Sequence, residues 1–244
     1  MNSRVVIIPT YNEIENIQAI IEKVMSLEPA FDILIVDDGS PDGTAKVVKS
    51  LQSEFPDRTH LIERQGKLGL GTAYIAGFHY CLEKGYEYIF EMDADFSHNP
   101  DDLVKLYQSC SENGSEMAIG SRYINGVNVV NWPIGRVLMS YFAGYYVRFI
   151  TGMNIQDTTA GFVCYRRKVL ETIPLDQIKF IGYAFQVEMK FTAWKYGFKL
   201  TEVPIIFTDR TKGESKMSAN IFKEAIFGVI QLKISSLFKR YQSN

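Results

Sequence analysis

From Arg4 to Gly120, short β-branched runs alternate with stretches whose apolar positions recur at helical spacing. RVVIIP, DILIVDD, HLIE, YEYIFEM and MAIGS read as buried strands. EIENIQAIIEKVM, GTAKVVKSLQSEF, TAYIAGFHYCLEKG and DDLVKLYQSC read as the helices between them. This alternation predicts an α/β fold, a mostly parallel twisted sheet with helices on both faces. Beyond Arg122 the pattern loosens into a polar loop, YINGVNVVNWP, then a long apolar helix and a mixed region. One domain over 1–244 is expected, with a binding half at 1–121 and an elaborating half at 122–244.

Two stretches are more apolar than a soluble core requires: IGRVLMSYFAGYYVRFI from Ile134 to Ile150, and NIFKEAIFGVIQLKISSLFKRY from Asn220 to Tyr241. Neither reaches the roughly 20 uninterrupted apolar residues of a membrane span, so no transmembrane helix is expected. In the second, Phe222, Ile226, Ile230 and Ile234 repeat at helical spacing while Lys223, Lys239 and Arg240 add positive charge. Such a helix either packs on its own core or lies in a membrane surface.

Composition narrows the function. With 46% hydrophobic residues in 244, the chain can bury one large core. A formal charge of -2 and a pI near 6.0 argue against a nucleic-acid partner, so any basic site is local. Cys81, Cys110 and Cys164 lie far apart without metal-ligand spacing, which suits reduced thiols in the cytoplasm. MNSRVVIIPT enters a strand without a signal-peptide core, again an expectation of cytoplasmic location.

Ligands of open parallel sheets bind outside the carboxyl ends of the strands. Here those ends are rich in polar groups: Pro9 to Glu13, Asp37 to Thr44, Asp93-Ala94-Asp95, and Gly120-Ser121-Arg122. Individually, Asp42 or Thr44 could cap a helix and the glycines could serve turns. Together they predict a cleft. Asp93 and Asp95 repel unless screened, protonated or bridged by a divalent cation. A nucleoside diphosphate held through Mg2+ or Mn2+ fits, with Arg122 gripping a phosphate and Asp38 accepting from base or ribose.

Other chemistries fit less well. KLGLGTAYIAG has Tyr74 where a dinucleotide fingerprint needs its third glycine. A phospho-acceptor receiver needs about half this length. GxSxG is absent, and His60, His79 and His98 show no nucleophile-base arrangement. His98 alone falls near the cleft, with a surface position expected.

PTYNE, VDDGSPDGT, LGLGTAY, MDADFSH, GSRY and DRTKGESK together resemble the inverting GT-A glycosyltransferases of family 2, of the polyprenyl-phosphate (dolichyl-phosphate) mannose synthase type. The resemblance spans nearly the whole chain and implies a GT-A nucleotide-diphospho-sugar transferase fold. It implies that Pro9, Tyr11, Glu13, Val36 and Asp38 hold the nucleoside, while Asp93, Ala94 and Asp95 meet the diphosphate and the metal. Arg122, Arg210 and Lys216 would hold phosphates, with Asp95 and Arg122 central to catalysis. Ser97 stands where some relatives place an amide ligand to the metal. Arg136 and Ser140, with Arg122, would serve the acceptor phosphate, and Asp157 to Phe162 would shape that side.

The reaction so implied is transfer of mannose from GDP-mannose to a polyprenyl phosphate, with inversion, at the cytoplasmic face of the membrane. UDP-glucose or another sugar nucleotide as donor is the nearest alternative. A non-catalytic subunit of a membrane glycosylation complex and a nucleotidyltransferase are alternatives of other classes. Peripheral membrane contact, aided if necessary by a small membrane partner subunit, would bring the enzyme to its lipid.

Overall fold

Alternation along the first strand sets the layering. In β1 (Arg4–Thr10), Val5 and Ile7 face one side of the sheet and Val6 and Ile8 the other, all fully buried. The computed structural model describes residues 3–182, 184–210 and 219–241, with side chains from 227 onward in the last stretch. After β1 come α1 (Ile17–Met25), β2 (Asp32–Asp37), α2 (Thr44–Glu54), β3 (Thr59–Glu63), α3 (Leu70–Lys84) and β4 (Tyr88–Glu91). Then follow α4 (Asp102–Ser111), β5 (Met117–Ser121), β6 (Val129–Val130), α5 (Ile134–Thr151) and β7 (Val163–Arg166). The chain continues with α6 (Arg167–Thr172), α7 (Ala184–Lys195), β8 (Leu200–Pro204), β9 (Phe207–Thr208) and α8 (Ala219–Phe238).

The main sheet has seven strands in the order β3-β2-β1-β4-β7-β5-β8. Strand β7 runs antiparallel to both neighbours, and all other pairings are parallel. The alternation of the first half does not reveal this inserted strand. It enters the sheet at Val163, opposite Glu91 and Ile119, so the loop before it lies on the same edge as the ends of β1, β2, β4 and β5. Residues beyond 121 thus supply β7 and β8 to the sheet that the first half begins.

Helices α1, α2 and α4 cover one face through Ile20, Val48 and Leu106, and α3 and α5–α8 cover the other. Helix α1 starts at Ile17 rather than Glu13. Asn12 turns the chain at φ 56°, and the Glu13 carbonyl closes the turn by accepting from Asn16 and Ile17. A second, two-stranded sheet pairs β6 with β9, and His98 bridges to Phe207 beside it.

Among the described residues, no helix is long and apolar enough to cross a membrane. Helix α8 buries Val229 and Leu232 but leaves Ile234, Leu237 and Phe238 in solvent, Phe238 being 85% exposed. Helix α5, packed against α8, exposes Phe142, Tyr145 and Phe149, the last at 77%. Core packing therefore accounts for one side of each helix only.

Candidate active site

The loops after β1 and β2 are laced together. Backbone N–H groups of Asn12, Glu13 and Ile14 donate to Ser40 Oγ (2.9 Å), Thr44 Oγ1 (3.1 Å) and Asp42 Oδ2 (3.1 Å). Asp42 also accepts from Thr44, so both residues serve local structure, although the N-cap of α2 is Gly43, which makes no side-chain cap. Pro9 lies half-buried inside β1, opposite Val36, Tyr11 lies under Lys67 with its ring 5.3 Å from the ammonium, and Glu13 accepts from Asn16. Val36 packs its side chain into the core.

The two aspartates of VDDGS divide their work. Asp37 is fully engaged inside the loop, accepting from Thr10 and Ser40. Asp38 instead meets Arg64, whose Nε donates at 2.6 Å and whose Nη1 donates to Thr72 at 2.7 Å. Arg64 thereby joins Asp38 to the start of α3, a role no motif announced. Gly71, in LGLGTAY, is a packing residue: a Cβ there would come 2.7 Å from the Phe180 carbonyl and 2.8 Å from the Phe185 ring.

After β4 the chain bends, and Phe96 adopts φ 59°. Asp95 is buried, its Oδ1 accepting from the Ser97 N–H at 3.0 Å and its Oδ2 lying 3.1 Å from Arg210 Nη2. Asp93 keeps 42% of its side chain open. The protein packed around it and the charge of Asp95 push its carboxyl above the usual carboxylate range. Ala94 between them is buried.

His98 is not on the surface. It is 3% exposed, stacked on Phe162 at 4.8 Å and set edge-on to Phe207 at 5.2 Å. Burial lowers its pKa to about 4, keeping the imidazole neutral, and Nδ1 accepts a long 3.4 Å hydrogen bond from the Asp93 N–H. The apolar partners that bury it are far away in sequence, so its neighbours in the chain gave no warning.

Arg122 is buried with its fork on Asp157: Nε donates to Oδ2 at 2.7 Å, Nη2 to Oδ1 at 2.6 Å, and the backbone N–H to Oδ2 at 2.9 Å. Nη2 also donates to Thr159. The planar grip expected for a phosphate is therefore made to the 157–160 loop. Glu202 holds that loop from beneath, accepting from the N–H groups of Gln156 and Asp157 and from Ser121. Lys190, fully buried, donates to the Ala160 carbonyl at 2.6 Å.

Arg136 stacks 4.1 Å from the Trp132 ring and donates to Asp209 Oδ1 at 2.8 Å; Ser140 follows one turn later on α5, half-buried. Asp209 Oδ1 also accepts from the Arg210 N–H. A chain Arg136–Asp209–Arg210–Asp95 thus links the expected acceptor and donor sides. Tyr123 Oη and Trp132 Nε1, whose rings lie 5.4 and 5.5 Å from the Arg122 guanidinium, are buried without hydrogen-bond partners among the described residues, as are Ser97 Oγ and Thr158 Oγ1. A buried polar group left unbonded costs about 1–3 kcal/mol. Lys216 lies outside the described residues.

The site fits a hard divalent cation. Asp93 and Asp95 offer carboxylate oxygens, and their mutual repulsion is the cost that a cation removes. Among the described residues, no group of three or more His, Cys, Asp or Glu side chains could hold a metal ion. Two protein ligands suit an ion that takes its other oxygens from phosphate and water.

The family model described as glycosyl transferase family 2 matches residues 5–174. Polyprenol monophosphomannose synthase of Mycolicibacterium smegmatis is 46% identical over 96% of this chain and 88% of its own length. Undecaprenyl-phosphate mannosyltransferase of Micrococcus luteus is 44% identical over 91% and 90%. Among solved structures, glucosyl-3-phosphoglycerate synthase from Mycobacterium tuberculosis in complex with Mn2+, UDP-glucose and phosphoglyceric acid aligns with a TM-score of 0.66. That alignment covers 97% of this chain and 80% of the other at 15% identity, a likeness of fold. A complex of the same synthase with Mn2+, UDP and glucosyl-3-phosphoglycerate has a TM-score of 0.67 at 14% identity, covering 95% and 78%.

Proposed function

The chain belongs to glycosyl transferase family 2, and from that premise we propose that it transfers mannose from GDP-mannose to a polyprenyl phosphate, with inversion, releasing GDP. The observation that carries this reading is the linked set Arg136–Asp209–Arg210–Asp95, which couples a cation at the start of an exposed apolar helix to the paired aspartates. The acceptor and product follow the two mannose-transferring relatives.

Charge is the main obstacle to the reaction. A phosphate monoester has a second pKa of about 6, so the acceptor oxygen is already an anion at neutral pH and needs no protein base. It must approach a donor that is itself anionic. Arg136 would receive the acceptor phosphate, and Arg210 would hold the donor diphosphate against Asp95. Arg122, tied to Asp157, would keep the 157–160 loop in register beside the sugar. Tyr11, Glu13, Asp38 and the Val36 backbone would hold the nucleoside, with Lys216 as a further phosphate ligand. Mg2+ or Mn2+ held by Asp93 and Asp95 would neutralise charge gathering on the departing diphosphate. Attack from the face opposite the leaving group would yield a β-linked mannosyl phosphate from an α-linked donor.

The acceptor's tail stays in the bilayer, so the enzyme would lie on the cytoplasmic face through the outer sides of α5 and α8. The test is a panel of labelled sugar nucleotides with a short-chain polyprenyl phosphate, followed by extraction of the lipid phase. Label from GDP-mannose should enter the lipid, and GDP should accumulate. Label from UDP-glucose alone would reassign the donor, and no lipid label from any donor would overturn the enzyme assignment.

A further inference from the structure

Between α7, α8 and the segment 174–180 lies a cavity of about 290 Å³ that the candidate active site does not use. Lys179, Lys239 and Arg240 line it, with Gln177 and Gln231. Its one carboxylate, Glu188, is buried and already accepts the N–H groups of Lys179 (2.9 Å) and Phe180 (3.0 Å). Three cations therefore face one occupied acid. Gly228 lets α8 sit directly on the segment bearing Lys179, since a Cβ there would come 2.6 Å from the Phe180 ring.

The same helix exposes Ile234, Leu237 and Phe238 beside these cavity positions. A cavity with apolar walls and three cations, next to an apolar strip, matches the two chemistries of a lipid surface, phosphate outside and acyl chains beneath. Lys239 and Arg240 also follow the C-terminus of α8, where the helix dipole favours cations. That accounts for their charge, though not for a cavity lined with amides and a third cation.

We propose that this cavity binds the headgroup of an anionic glycerophospholipid. Lys179, Lys239 and Arg240 meet the phosphate, Gln177 and Gln231 meet the headgroup hydroxyls, and Leu237 and Phe238 enter the acyl boundary. The inference rests on the reading that the protein lies on a membrane, and it adds a specific headgroup site. A soluble phosphate shares the anionic chemistry but lacks the acyl contact.

The experiment is flotation of the full chain with vesicles of phosphatidylcholine alone or mixed with phosphatidylglycerol. Gln231→Glu adds a negative charge in the cavity, while Gln108→Glu adds the same charge to exposed α4 on the other face of the sheet. The wild type should bind phosphatidylglycerol vesicles at least about tenfold better than neutral ones. Gln231→Glu should lose most of that preference and Gln108→Glu should keep it, with transfer to a soluble short-chain acceptor unchanged in both. Equal loss or equal retention in the two variants would mean diffuse attraction and overturn the cavity assignment. So would release of the wild type by millimolar inorganic phosphate at constant ionic strength, which would mark a free-phosphate site. Equal binding to neutral and anionic vesicles would overturn the headgroup site alone, and binding to neither would overturn the membrane reading with it. Failure of Gln231→Glu in solution transfer would show that the cavity belongs to the catalytic machinery, also against the proposal.

Discussion

Arg122 and Asp157 hold each other side-on, with two hydrogen bonds of 2.7 and 2.6 Å between buried groups 35 residues apart in the chain. Removing one partner of such a pair strands the other in a low-dielectric site. Asp157→Asn should therefore lower stability by about 3 kcal/mol and slow transfer, because the 157–160 loop loses its anchor. Urea unfolding and single-turnover kinetics measure the two effects. Normal turnover in the variant would separate this pair from catalysis.

The same pair sets an acid limit. Burial alone would raise the Asp157 carboxyl, but the Arg122 charge and hydrogen bonds outweigh it, and the folded pKa lies below the ordinary value. Its contribution to stability is complete above the unfolded pKa of about 3.9 and is lost as pH falls through the lower folded pKa. The stability gap between wild type and Asp157→Asn should be flat above about pH 5 and shrink toward about pH 3. A gap that widens on acidification would contradict this sign.

Asp95→Asn should nearly abolish transfer while leaving the fold intact, since Asp95 is expected to face both the cation and Arg210. Turnover with and without chelator, and a circular dichroism melt, test this. Retained activity in the variant, or wild-type turnover unaffected by excess chelator, would remove the metal from the reading.

Arg136→Ala should weaken the apparent affinity for polyprenyl phosphate while leaving equilibrium binding of GDP-mannose nearly unchanged. An equal loss in both would mean that Arg136 acts through Asp209 and Arg210 on the donor instead.

Trp132→Phe separates binding from folding. The Trp132 Nε1 is buried without a partner among the described residues, so deleting it should cost little stability. Transfer should nevertheless fall if that N–H serves a ligand. A stability loss with unchanged kinetics would make Trp132 a packing residue.

Leu237→Asp combined with Phe238→Asp should reduce flotation with anionic vesicles without abolishing donor binding, because both side chains are exposed and carry no core contacts worth the change. Undiminished flotation would shift the contact to α5.

By itself, the sequence determined the strand–helix order of the first half and the loops that cluster at one sheet edge. Hydrophobic spacing records local burial, and the polar residues directly after the strands show where that burial stops. It also carried the paired aspartates and the apolar character of α5 and α8. Only the tertiary structure decided who meets whom. Arg122 pairs with Asp157, Arg210 with Asp95 and Arg136 with Asp209 across 35, 115 and 73 residues, because the antiparallel β7 and the β6–β9 pair fold the second half back over the strand ends. Arg64 follows β3, Glu202 lies in β8 and Lys190 in the buried part of α7, and each gains its role from partners that no local motif names. The burial of His98 arises in the same way, from Phe162 and Phe207, since periodicity reports the face a residue occupies and not the side chain that arrives from elsewhere to cover it.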